Sequence, residues 1–358
     1  MLKFCLLLCL FSLNLQATDY HARFESFEHA AIGDNINLLG INGKLLHLPN
    51  GLTLSFGNII AMPDFYGIPG SPISDGASER ERETRFLAAY KTLANDQNSI
   101  QEAMNIIAAI HVLKPGEDQN LQWNCLTGGA CSGSSWWLEP GRYLSLAKTD
   151  YDHFGSDAIK TYLAGHQVAL KKALEGNLEQ AYAMDAFACH FLTDRFSSGH
   201  MRTPRRELAD NVTPSVIGSL LANFMHNEEC THGLHVHNQQ GDRWIAYGDG
   251  HYLDAKNKDN FKITQEAVQL SANDIYQAFS NRQLPTTYQQ LALIPEADES
   301  GSNATLDIAP LFYWDSATSL LMRRVNLNNL NDYQWTSDWV GWSTLAALKI
   351  SNRSTSPR

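Results

Sequence analysis

The stretch Asp185-Ala-Phe-Ala-Cys-His190-Phe-Leu-Thr-Asp194-Arg-Phe-Ser-Ser-Gly-His200 decides how this chain is read. It closes a run of good helix formers from Leu178 to about Phe196. Within that run Ala181, Tyr182, Ala188, Cys189 and Leu192 recur near a 3.6-residue period. A helix this apolar is at least partly buried. Yet it carries His190 and Asp194 on one face, one turn apart. Ser197-Ser198-Gly199 reads as a helix stop, with Gly199 expected in the left-handed conformation, and the chain turns to deliver His200. Two imidazoles and a carboxylate that converge suit Zn²⁺. The competing reading is a core pair bonded to itself, because a buried carboxylate and imidazole need partners in either case.

Spacing alone says little. With 13 His and 38 acidic residues in 358, composition yields about 1.4 His-x-x-x-Asp/Glu pairs. The chain holds three: His21/Glu25, His153/Asp157 and His190/Asp194. The last is informative because its surroundings are apolar.

The first residues read as a cleaved secretory signal. Lys3 is the only charge before Asp19, Phe4 to Leu15 is apolar, and Ala17 is a small residue at a plausible cut. The run is too short to span a bilayer, and no later run is long enough. The mature chain is therefore expected to be soluble and exported. Loss of Lys3 takes the net charge from −11 to −12. An acidic chain repels phosphate backbones, which disfavours nucleic acid as a partner. Cys125, Cys131, Cys189 and Cys230 remain after cleavage, and in an oxidising compartment three pairings are open. The small Thr-Gly-Gly-Ala loop favours Cys125 with Cys131, leaving Cys189 to pair with Cys230.

Outward from the central stretch, helices are expected at 24–39, from Glu79 to Ala94, from Ser99 to Leu113, from Ser156 to Leu174, from Pro214 to about Glu229, and from Thr264 to Phe279. Leu52 to Ala61 reads as helix or strand, and Pro115 to Pro140 as a polar loop. Leu234–His237 and Arg243–Tyr247, joined by a Gln-Gln-Gly-Asp turn, form a hairpin. Pro285 to Ala309 reads as loop, and the tail from Leu311 to Ile350 carries four Trp, for packing or for a lipid interface. The fold class is all-α with a small β-hairpin. Residues 1–17 are read as the signal, 18–283 as a catalytic domain and 284–358 as a C-terminal extension.

Further ligand candidates are His29 on the first helix, Asp64 in the tight Pro-Asp-Phe-Tyr-Gly turn, and His153 just before a helix. Each alone reads equally as a bonded core histidine or an ordinary turn aspartate. His226-Asn-Glu-Glu is stronger. His226 and Glu229 share a helix face, and Glu228 joins them only if the helix has unwound. Five His, at 226, 232, 235, 237 and 251, crowd one short region. His235 and His237 share a strand face, which reads as a surface pair. Arg195 and Arg202 flank the central trio, either steering phosphate or facing solvent.

Tyr-Asp-His-Phe-Gly (151–155), Gly-His (165–166), His-Phe-Leu-Thr-Asp…Gly-His-Met-Arg-Thr-Pro-Arg (190–205), Met-His-Asn-Glu-Glu (225–229) and Gly-Asp-Arg-Trp-Ile-Ala-Tyr-Gly-Asp (241–249) together resemble the secreted bacterial zinc phospholipase C proteins of the Pseudomonas and Legionella type. Those are related more distantly to the Bacillus phosphatidylcholine-cleaving enzyme and to the S1/P1 nucleases. The resemblance runs from about His29 to Asp249. It implies a helical enzyme with three zinc ions, hydrolysing phospholipids at a membrane surface to diacylglycerol and a phosphorylated head group. Carried over by position, His190, Asp194 and His200 match the central ligands. His226 with Glu228 or Glu229 matches the next pair, and His29, His153 and Asp64 match the others. Asp64 is the residue expected to orient or deprotonate the attacking water. No Trp lies near the expected mature start at Thr18, unlike the Bacillus enzyme, whose N-terminal Trp is a ligand. A monomer is expected. The alternatives are a P1-like zinc phosphodiesterase acting on nucleic acid, and a non-catalytic secreted zinc-binding protein with a closed site.

Overall fold

Helix α8 (Leu178–Asp194) is buried along nearly its whole length, and the other helices are arranged around it. The computed structural model describes residues 26–112, 119–133, 136–298 and 307–355. The expected signal segment, and with it His21 and Thr18, lies outside the described residues. Helix α8 starts where Asn177 accepts a bond from the Gln180 amide, directly after Gly176 at φ +88°. Gly176-Asn177 therefore ends α7 (Gly155–Leu174) and turns the chain back, so α7 and α8 form a helical hairpin. Gly165 of α7 permits that approach. A Cβ there would fall 2.3 Å from Phe86 and 2.6 Å from Ala188.

The remaining elements cover this hairpin. In chain order they begin with α1 (Ser26–Gly33), β1 (Leu45–His47), β2 (Thr53–Ser55) and α2 (Phe56–Ile60). Then come α3 (Glu79–Ala94), α4 (Ser99–Ile110), α5 (Asn120–Leu126) and α6 (Arg142–Ala147). After the hairpin follow α9 (Ser198–Met201), α10 (Arg205–Asn211) and α11 (Ser215–His232). The chain continues through β3 (Leu234–His237), β4 (Arg243–Ala246), the long α12 (Lys258–Asn281) and β5 (Glu296–Ala297). It ends with β6 (Phe312–Asp315), β7 (Leu320–Arg324), β8 (Trp335–Thr336) and α13 (Gly341–Thr355). The protein is mostly helical, with three small antiparallel sheets among the described residues.

The large helices lie where their periodicity predicts, and local structure differs from expectation in four places. The first helix, α1, ends at Gly33 rather than at Leu39, and its expected start at Phe24 lies outside the described residues. The 52–61 stretch holds both a strand and a helix, because Ser55 ends β2 and caps α2 by accepting from Asn58. The 115–140 stretch contains α5, and the 285–309 stretch contains β5, which adds to the β3–β4 hairpin. The tail folds as a three-stranded sheet and a helix. Its Leu311, Phe312, Leu321, Leu345 and Leu348 share a core with Leu208, Leu221 and Met225 of α10 and α11. The indole N–H groups of Trp335 and Trp339 donate to Pro310 and Leu321 carbonyls, so these two Trp pack, while Trp342 is exposed.

The cysteine expectation holds in one half. Cys125 and Cys131 form a disulfide, whereas Cys189 and Cys230 are both free and buried. The geometry separates the latter two: Cys189 faces Asp185 inside the bundle, while Cys230 faces Ser197 and His226. Among the described residues no helix is long and apolar enough to cross a membrane.

Candidate metal centre

The C-terminal end of α8 is the floor of the site. His190 and Asp194 emerge on one face, as their spacing requires, and are fully buried. Gly199 does not stop the helix in a left-handed conformation. Instead Ser197 begins the short α9, which carries His200 inward. Gly199 is needed for proximity: a Cβ there would come within 2.5 Å of Cys230 Sγ and 2.6 Å of His226 Cδ2. This contact brings α11, and with it His226, against α9.

Eight residues form three groups, the first two sharing His190, and in each group the ligand atoms lie within 4.8 Å of one another. The first is His29, Asp64 and His190; the second is His153, His190 and Asp194; the third is His200, His226 and Asp249. Asp194 Oδ1 lies 3.4 Å from His29 Nε2, and its Oδ2 lies 2.9 Å from His153 Nδ1 and 3.5 Å from His190 Nε2. Asp64 Oδ1 lies 3.4 Å from His190 Nε2. In the third group Asp249 Oδ2 is 3.2 Å from His200 Nε2 and 3.3 Å from His226 Nε2.

The far sides of the rings are anchored, as metal-binding imidazoles commonly are. His190 Nδ1 donates to the Ile60 carbonyl at 2.8 Å, and His200 Nδ1 to the His153 carbonyl at 2.9 Å. His29 Nδ1 meets Thr193 Oγ1 at 2.8 Å. Ser197 donates to Asp249 Oδ1 at 2.7 Å, leaving Oδ2 for the centre. Glu28, next to His29, accepts from the backbone amides of Gly250 and Tyr252, so α1 clamps the loop that carries Asp249.

Two pairs of ring nitrogens face one another, His190 with His153 at 3.0 Å and His226 with His200 at 3.1 Å. One proton serves only one bond in each pair, whereas a cation between the rings satisfies both. Ligands about 2.0 Å from a tetrahedral Zn²⁺ stand about 3.3 Å apart, close to the separations seen here. Electrostatics agree. Burial works against charge on all three carboxylates, but His190 and His153 beside Asp64 hold it below the usual range. His190 and His200 do the same for Asp194, and His200 and His226 for Asp249. Burial also opposes charge on His153 and His190, yet Asp194 and Asp64 raise both, His153 to about 9. Burial and the neighbouring His190 lower His29 to about 4, which leaves its ring nitrogen free to act as a ligand. The carboxylates thus call for positive charge, and these buried His/Asp groups are able to hold metal ions.

Seven of the nine expected site residues meet here: His29, Asp64, His153, His190, Asp194, His200 and His226. Glu228 and Glu229 do not. Helix α11 stays helical past both, which turns Glu228 away to a bidentate pair with Arg324, at 2.9 and 2.8 Å. Glu229 is fully buried but is taken by Arg202 Nε at 2.6 Å; burial raises its carboxyl to about 7 despite Arg202. The carboxylate of this pole is Asp249, which the sequence reading did not assign. Its signal was modest, a Gly-Asp-Gly turn just beyond the hairpin. Arg195 and Arg202 neither face solvent nor point into the centre. Arg195 is buried against the carbonyls of His200, Met201 and Pro295, and Arg202 also donates to Ile308.

A solvent-open cavity adjoins Asp64 and His153, walled by Pro63, Tyr66, Tyr143 and Phe191. Asp150 and Asp152 also line it. Asp150 pairs with Arg205 at 2.6 Å, and Asp152 accepts from the amides of Ile73 and Ser74.

Compared with known protein families, curated proteins and solved structures, the chain matches none.

Proposed function

We propose that the chain is a secreted zinc-dependent phospholipase C, binding up to three zinc ions in the three groups. One observation carries the reading: eight His and Asp, seven of them buried and His29 partly so, converge in three groups beside an open cavity. Zinc held there supplies Lewis acidity at a phosphoryl oxygen and acidifies water, the two needs of phosphodiester hydrolysis.

The chain's own groups define the rest. Asp194 turns one oxygen to His29 and the other to His153 and His190, which suits service to two neighbouring ions. Among the described residues Asp64 Oδ2 receives a 3.3 Å contact from Ser26, and the residue lines the cavity, which supports a role in orienting or deprotonating an attacking water. Tyr66, Tyr143 and Phe191 offer apolar walls to the lipid part of a substrate. The net charge of −11 opposes a polyanion and favours a phospholipid over nucleic acid.

The test uses the purified full chain. Bound zinc is counted by elemental analysis, and release of phosphorylated head group from mixed phospholipid vesicles is followed with and without chelator. Two or three zinc ions and chelator-sensitive release support the proposal, with release lost in Asp64→Asn. Zinc with cleavage of single-stranded nucleic acid but not lipid would replace it with the nuclease reading. A single tightly held ion without hydrolysis would point to a zinc-binding protein, and absence of zinc would end the proposal.

A further inference from the structure

We propose that the outer face of β3 is a separate metal site, at which His235 and His237 hold one divalent transition ion of the zinc, copper or nickel class. Of the five clustered histidines only His226 enters the buried centre. His251 pairs with Asp254 on a turn, and His232 is exposed at the end of α11. Strand β3 turns Leu234 and Val236 into the core and His235 and His237 outward. Residues two apart on a strand share a face, about 6.6 Å apart along it, a span two imidazole arms can close around one ion.

Each ring is held from behind. His235 Nδ1 bonds Asp307 Oδ1 at 2.7 Å, and the His235 amide donates to the same oxygen at 2.9 Å. His237 Nδ1 bonds Asp298 Oδ1 at 2.6 Å, while Asp298 Oδ2 takes Arg243 at 2.9 Å. A carboxylate on Nδ1 puts the proton there and leaves Nε2 as a lone-pair donor, the carboxylate–histidine arrangement found behind metal ligands. Both rings are over a third exposed, and neither Nε2 has a partner among the described residues. Glu296 lies directly opposite His237 in the β3–β5 register and is exposed on this face, but its carboxylate does not converge with both rings to within 4.8 Å, so the two imidazoles carry the site. Two imidazoles suit the borderline transition ions rather than magnesium or calcium. An ion here sits on β3 from outside, without touching the buried groups.

The alternative is that the two His–Asp pairs are only surface ties, which need no free Nε2. Nickel titration of full-length protein separates the readings, with the internal groups first loaded with zinc and the excess removed. Heat of binding gives stoichiometry, and imidazole signals in ¹H–¹⁵N spectra locate the ion. Expected are one Ni²⁺ per chain and paramagnetic broadening of His235 and His237 ahead of His232 and His251. His235→Gln or His237→Gln should each weaken binding by about tenfold or more. The double variant should abolish it with internal zinc and unfolding temperature unchanged, and His232→Gln should bind as the parent does. No uptake by the parent, or undiminished uptake by the folded double variant, would overturn the proposal.

Discussion

Asp249 and Glu228 show how much a single side chain's direction decides. Both are carboxylates near His226, in the fold or in the sequence, yet one faces two imidazoles and the other a buried guanidinium. Asp249→Ala should remove one ion per full-length chain. It should weaken that site by more than the 10- to 100-fold (order of magnitude) that follows loss of an outer partner. Glu228→Gln should keep the full metal count. It should instead cost about 3 kcal/mol of stability, because Arg324 is then left buried without its counter-charge. Elemental analysis and chemical denaturation of the two variants check both halves. Loss of metal in Glu228→Gln would contradict the placement. Helical spacing made His190 and Asp194 legible. Asp249 was not, because no local period links a post-hairpin loop to His226 on the preceding helix or to His200, 49 residues earlier in the chain.

At the scale of elements, the meeting of α9 with α11 leaves no room for a side chain at the contact. Gly199 and Gly248 both leave room for Cys230, whose sulfur would lie 2.5 and 2.3 Å from a Cβ at those positions. Gly199→Ala should therefore force α11 outward, costing about 1–3 kcal/mol. It should also loosen metal held by His200, His226 and Asp249 while sparing the groups around His190. Competition with a chelator of graded strength reads this as one ion leaving earlier than in the parent. Simultaneous weakening of all ions would mean the helix contact is not local to that pole. The sequence reading assigned Gly199 to a left-handed helix end because Ser-Ser-Gly is a stop signal. The close approach that actually selects glycine comes from a partner helix, and nothing local in the sequence announces it.

Across the whole molecule, stability also rests on a polar network inside the bundle, away from the metal centre. His166 of α7 bonds Asp185 of α8 at 2.7 Å, with Asp274 of α12 3.5 Å from its other nitrogen. Ser271 and Gln290 complete the network. Burial opposes the charge, but Asp185 and Asp274 prevail and raise His166 from 6.5 to about 9. Because the folded value is the higher one, this contribution is full below pH 6.5 and fades as pH rises through about 9. His166→Gln should cost about 3 kcal/mol near neutral pH, and less above pH 9. Thermal unfolding of both proteins from pH 6 to 10 should show the gap closing at the alkaline end. A gap independent of pH would show that His166 is neutral in the fold.

The sequence by itself determined the helical class, the hairpin, the disulfide between Cys125 and Cys131, and seven of the eight residues that converge. The class, the hairpin, the disulfide and the pairing of His190 with Asp194 are written in short-range signals: periodicity, turn residues, a short loop, and polar side chains stranded on an apolar helix; His29, Asp64 and His153 are matched as ligands only through the resemblance. Only the tertiary structure decided that Asp249 completes the third group, that Arg324 and Arg202 claim Glu228 and Glu229, and that Cys189 and Cys230 stay apart. Those outcomes depend on which surfaces meet when the hairpin loop and the C-terminal sheet pack onto α11. A buried charge takes whichever partner that packing brings within reach, and that partner is distant in the chain.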